Sequence, residues 1–529
     1  AVVVRERERE RERETGRTQS HVCKCNMSKS VSVQASVEAA SLQDLVSKLR
    51  HSEGFTLLVV GNEAALEAHW EQLLHSSLPG DVTEGLSTLK NGGSRRASST
   101  LVGQHCVAYE VVSSQVSRVN CPTRPDLISK AVAKHCPEEG DYFIVVCIED
   151  EGLSVSSINA CAKVFPLYSR QSSFTSSAVH VTMCTLDAPE DFEVEKMNVL
   201  VDAIRDTGRL VDMPPNELHT DAFREHARHI ALLTGSEYEE IVGTELRDRG
   251  YGGLWNVGMA ADKPPALVIL HHKAESSDAK RVALVGKGII FDTGGLSIKG
   301  KFDMPGMKRD MGGAAALLNA FRVACLTDID VDLYLLLCLA ENSVSSVAMR
   351  PDDIIRIYSG LTVEVNNTDA EGRLVMADGI AHAIRHLDPD YIFNMATLTG
   401  AQAMATGVLH AGVVAPSEEV EQLVVRAGLV SGDVCFPMMY CPEFLAKELS
   451  SVVADMKNSA RNRSNAGASV AAQFLANHME EYLSQGKFWG HIDIAAPAHE
   501  SERASGFGVS LISTILLILS QDEEDEEED

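Results

Sequence analysis

The stretch Val365–Asn366–Asn367–Thr368–Asp369–Ala370–Glu371–Gly372–Arg373–Leu374 decides how this chain is read. Asp369, Glu371 and Arg373 stand at alternate positions. Before them lies an apolar run, Leu361 to Val365, and after them a run of helical spacing, Leu374 to His386. Two carboxylates and a guanidinium between core-forming segments are costly to bury unless something pairs them. Charged groups at the carboxyl ends of core strands are where open α/β sheets bind ligands. The loop is therefore expected to follow a strand of the central sheet and to carry a site.

Around it, strands are expected at Ala266–Leu270, Val282–Val285, Val331–Leu339, Leu361–Val365, Tyr391–Met395 and His491–Ile494. Helices are expected at Ala222–Leu233, Gly312–Cys325, Leu374–His386, Glu418–Gly428 and Ala468–Leu483. Strands alternating with helices imply a mainly parallel sheet flanked by helices. Two further segments hold charge where a core belongs. Lys287 and Asp292 sit in the run Val285 to Gly300, with Gly294–Gly295 allowing close backbone approach. Asp310 precedes the small-residue run at Gly312; alone it reads as an N-cap. Converging carboxylates coexist ionised only beside strong positive charge. One lysine and one arginine fall short, whereas two divalent metals would suffice and would suit hydrolysis. No histidines cluster with these carboxylates, so the site is oxygen-rich and open to zinc, manganese, cobalt or magnesium. His271–His272 read as solvated residues at a strand exit.

The rest of the chain divides by composition. Residues 1–29 are a low-complexity Arg-Glu head; one hypothesis for the part before Met27, the first methionine, is a gene-model or untranslated-region artefact, which a native tryptic peptide from upstream of Met27 would remove. Residues 30–195 read as a smaller α/β domain with a structural or oligomeric role, including an exposed loop at Gly92–Ser99. Residues 196–211 read as a linker helix stopped by Pro214–Pro215. Residues 212–520 form the second domain, and 521–529 an acidic disordered tail. The chain's 529 residues carry a formal charge of −28. The body remains acidic once the tail is set aside, which disfavours nucleic acid as the main partner. The 12 cysteines follow no disulfide or zinc-ribbon spacing. No secretory signal is visible, and the apolar run Val509–Leu519 is too short to span a membrane. The cytoplasm is the expected location.

Asn367–Thr368–Asp369–Ala370–Glu371–Gly372–Arg373–Leu374 resembles the signature octapeptide of the leucyl aminopeptidase family of dinuclear metallopeptidases, without a departure. The similarity runs over about 196–520 and includes Ala396 to Ala401 and Trp489 to Ala495. Lys299–Gly300–Lys301, Met304 to Asp310 and Ala454 to Ser459 resemble an animal, aminopeptidase-like branch of the family. The resemblance implies that the second domain is catalytic and that two divalent metal ions, zinc or manganese, are bound. It implies that Asp292 and Glu371 bridge both ions, that Lys287 and Asp310 bind the tighter one, and that Asp369 binds the more exchangeable one. Lys299 would polarise the scissile carbonyl. Arg373 would hold a bicarbonate ion acting as general base. Met307, Thr397 and Gly400 would line the first side-chain pocket. Short peptides are the implied substrates, apolar N-terminal residues the implied preference, and a homohexamer the implied assembly. The alternative is an oligomeric scaffold that keeps the fold without the chemistry, against which all seven catalytic and metal positions are present.

Overall fold

The computed structural model describes residues 35–91, 97–136, 140–171, 179–186, 194–462 and 464–521. The Arg-Glu head, residues 522–529 of the tail and most of the Gly92–Ser99 segment lie outside them; the end of that segment, expected as loop, is strand.

The N-terminal domain is a six-stranded sheet of β1 (Ala35–Ala39), β2 (Thr56–Gly61), β3 (Ala97–Val102), β4 (His105–Val111), β5 (Gly140–Cys147) and β6 (Val179–Leu186), ordered β1-β6-β5-β2-β4-β3. All neighbours are parallel except the edge pair β3–β4. Its inner strands are continuously apolar because helices cover both faces. Leu42–His51 is one such helix: Ser41 Oγ caps its first turn by accepting from Asp44 N–H, and Leu45, Val46 and Leu49 face the core.

The second domain holds an eight-stranded sheet of β7 (Glu237–Val242), β8 (Ala266–His272), β9 (Arg281–Asp292), β10 (Asp332–Asn342), β13 (Tyr391–Ala396), β14 (Ala411–Val414), β15 (Cys435–Pro437) and β17 (Phe488–Asp493). The short β11 (Ile354–Arg356), β12 (Thr362–Glu364) and β16 (Met456–Lys457) form a separate sheet. The large sheet is ordered β15-β14-β17-β13-β9-β10-β8-β7, and its central four strands β17-β13-β9-β10 are parallel. The helix Gly312–Leu326 packs on one face and Gly372–His386 on the other. The chain leaves β9 toward β10 and β13 toward β17, so a switch point opens between β9 and β13 at their carboxyl ends.

Three expectations are corrected. The strand before the Asp369 loop belongs to the small sheet, where β12 pairs with β11 and β16. Its partners are β11 and β16 rather than a strand of the central sheet, so the loop reaches the site from the side. The helix expected at Ala468–Leu483 is two, Gly467–Ala476 and Glu480–Ser484, with the break beside His478, whose ring is bonded to Ser359 Oγ at 2.7 Å. His271 and His272 end β8 rather than lying free beyond it. His271 Nε2 meets Asp332 Oδ1 at 2.7 Å and its ring stacks on Tyr334.

The helix Val194–Asp212 joins the halves, with Leu200, Val201, Ala203 and Ile204 in the N-terminal core and Leu210 and Val211 in the catalytic-side core.

Candidate active site

The four central strands end together. β9 ends on Asp292, β10 on Asn342, β13 just before Thr397 and β17 on Asp493. β9 also carries Lys287 inward, and its Nζ lies 2.8 Å from both Asp310 oxygens, 3.1 Å from Glu371 Oε1 and 2.8 Å from the Thr397 carbonyl. This approach requires glycine at 372, where a Cβ would fall 2.5 Å from Lys287 Cε. Asp310 does not cap the helix after it. Its carboxylate accepts from Lys287 and from Thr397 Oγ1, so the N-cap expectation fails. The charge-assisted bond to the buried Lys287 ammonium takes the carboxylate instead.

Beyond β9 the chain turns through Gly294 (φ +85°) and Gly295 (φ +62°). The turn brings Lys299 Nζ 2.8 Å from Asp292 Oδ2 and 2.5 Å from Asp369 Oδ1. Asp292 Oδ1 accepts from Gly294 N–H and Asn342 Nδ2, each at 2.8 Å. Thr368 Oγ1 donates to the Gly294 carbonyl and accepts from Ser297 N–H, stitching the signature loop to this turn. Asn458 holds the loop's other side: its Oδ1 accepts from Asn366 and Asn367 N–H, and its Nδ2 donates to the Asn367 and Ala370 carbonyls. Arg373 donates to the Asn458 carbonyl at 3.0 Å, and its buried Nε has no hydrogen-bond partner.

Charge does not balance here. Four carboxylates meet two ammonium groups. Burial, then repulsion from Glu371 and Asp310, pushes Asp292 up to about 8. Burial pushes Asp310 up to about 6 against the pull of Lys287, and raises Asp369 against that of Lys299. Glu371 is also strongly desolvated, yet Lys287 and Lys299 hold it below its ordinary value. Lys287 is held above its own, since Asp310, Glu371 and Asp292 outweigh its desolvation. Burial lowers Arg373 to about 10.

A divalent ion fits this set. One oxygen each from Asp292, Asp369 and Glu371 falls within 4.8 Å of the others. Glu371 Oε2 is buried without a hydrogen-bond partner, an acceptor left over for a cation. The centre opens on a cavity of about 480 Å³ whose wall includes Met307, Thr397 and Gly400. All ten residues singled out in the sequence therefore line one cavity. Asn342, Asn458 and Asp493 were not singled out. Asn342 ends its strand where Asp292 ends β9, a polar residue closing an apolar run, and that signal was available.

The model of the cytosol aminopeptidase family, catalytic domain, matches residues 206–513, and that of the M17 aminopeptidase N-terminal domain 2 matches residues 56–174. Human probable aminopeptidase NPEPL1 is 44% identical over 77% of this chain and 79% of its own length. Leucine aminopeptidase 1 of Caenorhabditis elegans is 40% identical over 78% of this chain and 85% of its own. The structure of leucyl aminopeptidase from Trypanosoma brucei in complex with bestatin superposes with a TM-score of 0.83 at 35% identity, covering 92% of this chain and 96% of that one. Fold and centre together define a metal-dependent aminopeptidase, a hydrolase acting at peptide N-termini. The chain belongs to the cytosol, or leucyl, aminopeptidase family.

Proposed function

We propose that the enzyme removes leucine and other apolar N-terminal residues from short peptides in the cytoplasm, with two divalent ions, zinc or manganese, in each subunit. The observation that carries this is the buried, unpartnered Glu371 Oε2 inside a carboxylate cluster that opens on the cavity. Asp292 and Glu371 would hold both ions, Lys287 and Asp310 one, and Asp369 the other. Lys287 would release its proton on loading, since an ammonium has no lone pair to give. When bound, the ions supply the Lewis acidity that activates water and offsets negative charge on the scissile carbonyl oxygen.

The chain's own groups do the rest. Lys299 keeps a proton at the cavity floor between Asp292 and Asp369, ready to donate to the carbonyl oxygen. Arg373, with its unpartnered Nε at the wall, would hold bicarbonate. Met307, Thr397 and Gly400 would receive the first side chain. A non-catalytic scaffold is not favoured.

Leucyl-p-nitroanilide hydrolysis tests the reading. Release is expected with added manganese or zinc, and loss with a chelator and in Glu371→Ala. Lys299→Ala is expected to lower turnover while keeping both metals; metal loss in that variant would refute its separate role.

A homohexamer is proposed as the working assembly. Phe302, Met404 and Val452 are 87%, 85% and 98% exposed, apolar side chains that subunit contacts would cover. No helix among the described residues is long and apolar enough to cross a membrane. A monomer mass in sedimentation would contradict the assembly.

A further inference from the structure

Arg309 has no role in the chemistry above. It lies in the short turn Met307–Arg309 immediately before Asp310, and its side chain lines the same cavity as the carboxylate centre. Its Nε is buried and has no hydrogen-bond partner. Among the described residues it makes no ion pair. The carboxylates close enough to sense its charge are Asp212 and Glu502. Asp212 is already engaged by Arg503 at 2.9 Å and by Ala504 N–H at 2.9 Å, and Glu502 is exposed. Its neighbour Lys308, by contrast, is tied to the Asp212 carbonyl. His499 stands on the same wall with a buried Nδ1 that also lacks a partner.

An unmatched guanidinium in a cavity wall is a preorganised fork for a carboxylate. A rounded cavity of about 480 Å³ is about 10 Å across, the span of about three extended residues. A peptide whose N-terminus sits at the carboxylate centre would therefore place its second or third residue within the same space as Arg309.

We propose that Arg309 is a carboxylate-binding residue of the substrate cavity, which directs the enzyme toward peptides presenting a carboxylate one or two residues beyond the cleaved bond. This rests on the aminopeptidase reading and names its substrate class. The carboxylate comes either from the free C-terminus of a di- or tripeptide or from an acidic side chain.

The test compares Leu-Gly, Leu-Gly-amide and Leu-Glu-amide in the metal-loaded wild type, Arg309→Met and Arg309→Lys, with leucyl-p-nitroanilide as the measure of the underlying activity. A charge-assisted hydrogen bond predicts that kcat/KM for a carboxylate-bearing substrate, relative to Leu-Gly-amide, falls about tenfold in Arg309→Met, through KM, and is partly restored in Arg309→Lys. A fall confined to Leu-Gly assigns the C-terminal carboxylate; one confined to Leu-Glu-amide assigns the side chain; a fall in both admits either source. Unchanged ratios in Arg309→Met overturn the proposal even when leucyl-p-nitroanilide is cleaved. If the wild type cleaves nothing, the aminopeptidase reading fails, and calorimetric binding of Leu-Gly against Leu-Gly-amide to wild type and Arg309→Met still decides the role of Arg309: equal affinities refute it.

Discussion

Lys287 is the side chain on which the centre's geometry turns, and Gly372 is what admits it. A methyl group at 372 would overlap Lys287 Cε, Cδ and Nζ. Gly372→Ala is expected to displace the lysine, lower metal occupancy and reduce turnover at least tenfold, while overpacking costs about 1–3 kcal/mol of stability. Metal analysis beside a thermal melt checks this; full occupancy with full activity would show that the lysine has room to move. Charge made most of this site legible in the sequence. Lys287, Asp292, Asp369 and Glu371 stood out because a core cannot hold them unpaired. Asn342 and Asn458 carry no charge, so they posed no such contradiction, although each makes hydrogen bonds that shape the site.

At the scale of elements, the signature loop is held from two sides, by Thr368 and by Asn458. Asn458→Leu keeps the branched skeleton and removes every side-chain bond to the loop. It would leave the Asn366 and Asn367 N–H groups and the Asn367 and Ala370 carbonyls short of partners. Buried groups so stranded cost about 1–3 kcal/mol each. The expected outcome is a lower urea midpoint together with a loss of turnover that excess metal does not restore. Segments such as Gly312–Leu326 and Gly372–His386 were legible because small and apolar residues predominate over a length that no strand of the sheet reaches. The three-residue β12 looked like a core strand because an apolar run does not reveal which sheet it joins. β7, missed from the sequence, is an edge strand in which three of six residues are glutamates, a residue type poor in strands.

At the scale of the molecule, stability depends on pH through buried imidazoles. Burial pulls His478 and His491 down to about 3, with Arg373 adding to the effect on His491. Burial, with His386 and Arg249, lowers His382 to about 4. An unfolded histidine takes its proton near pH 6.5. Their stabilising contribution is therefore complete above about pH 6.5 and is lost as pH falls toward 4, at about 1.4 kcal/mol per pH unit for each ring. Urea unfolding between pH 7.5 and 5 should show a shallower acid slope in His478→Gln by about one proton; an unchanged slope would mean that ring does not stay neutral. The two domains are also pinned by an ion pair. Asp433, fully buried, receives Lys163 Nζ at 2.6 Å and Asn159 Nδ2 at 3.1 Å from the N-terminal domain, and Gly508 N–H at 2.8 Å. Lys163→Met strands that carboxylate and is expected to cost about 3–5 kcal/mol, read from urea midpoints.

The helix Val194–Asp212 gives its middle to one core and its end to the other. A recombination break inside it would hand each product a fragment of a core that its new neighbour was not selected to complete. Exchange of N-terminal halves between relatives is thus expected to yield soluble protein only when the whole helix travels with one parent and the apolar residues facing 200–204 travel with it. Lineages of this chain are accordingly expected to inherit both domains together, diverging by substitution rather than by shuffling.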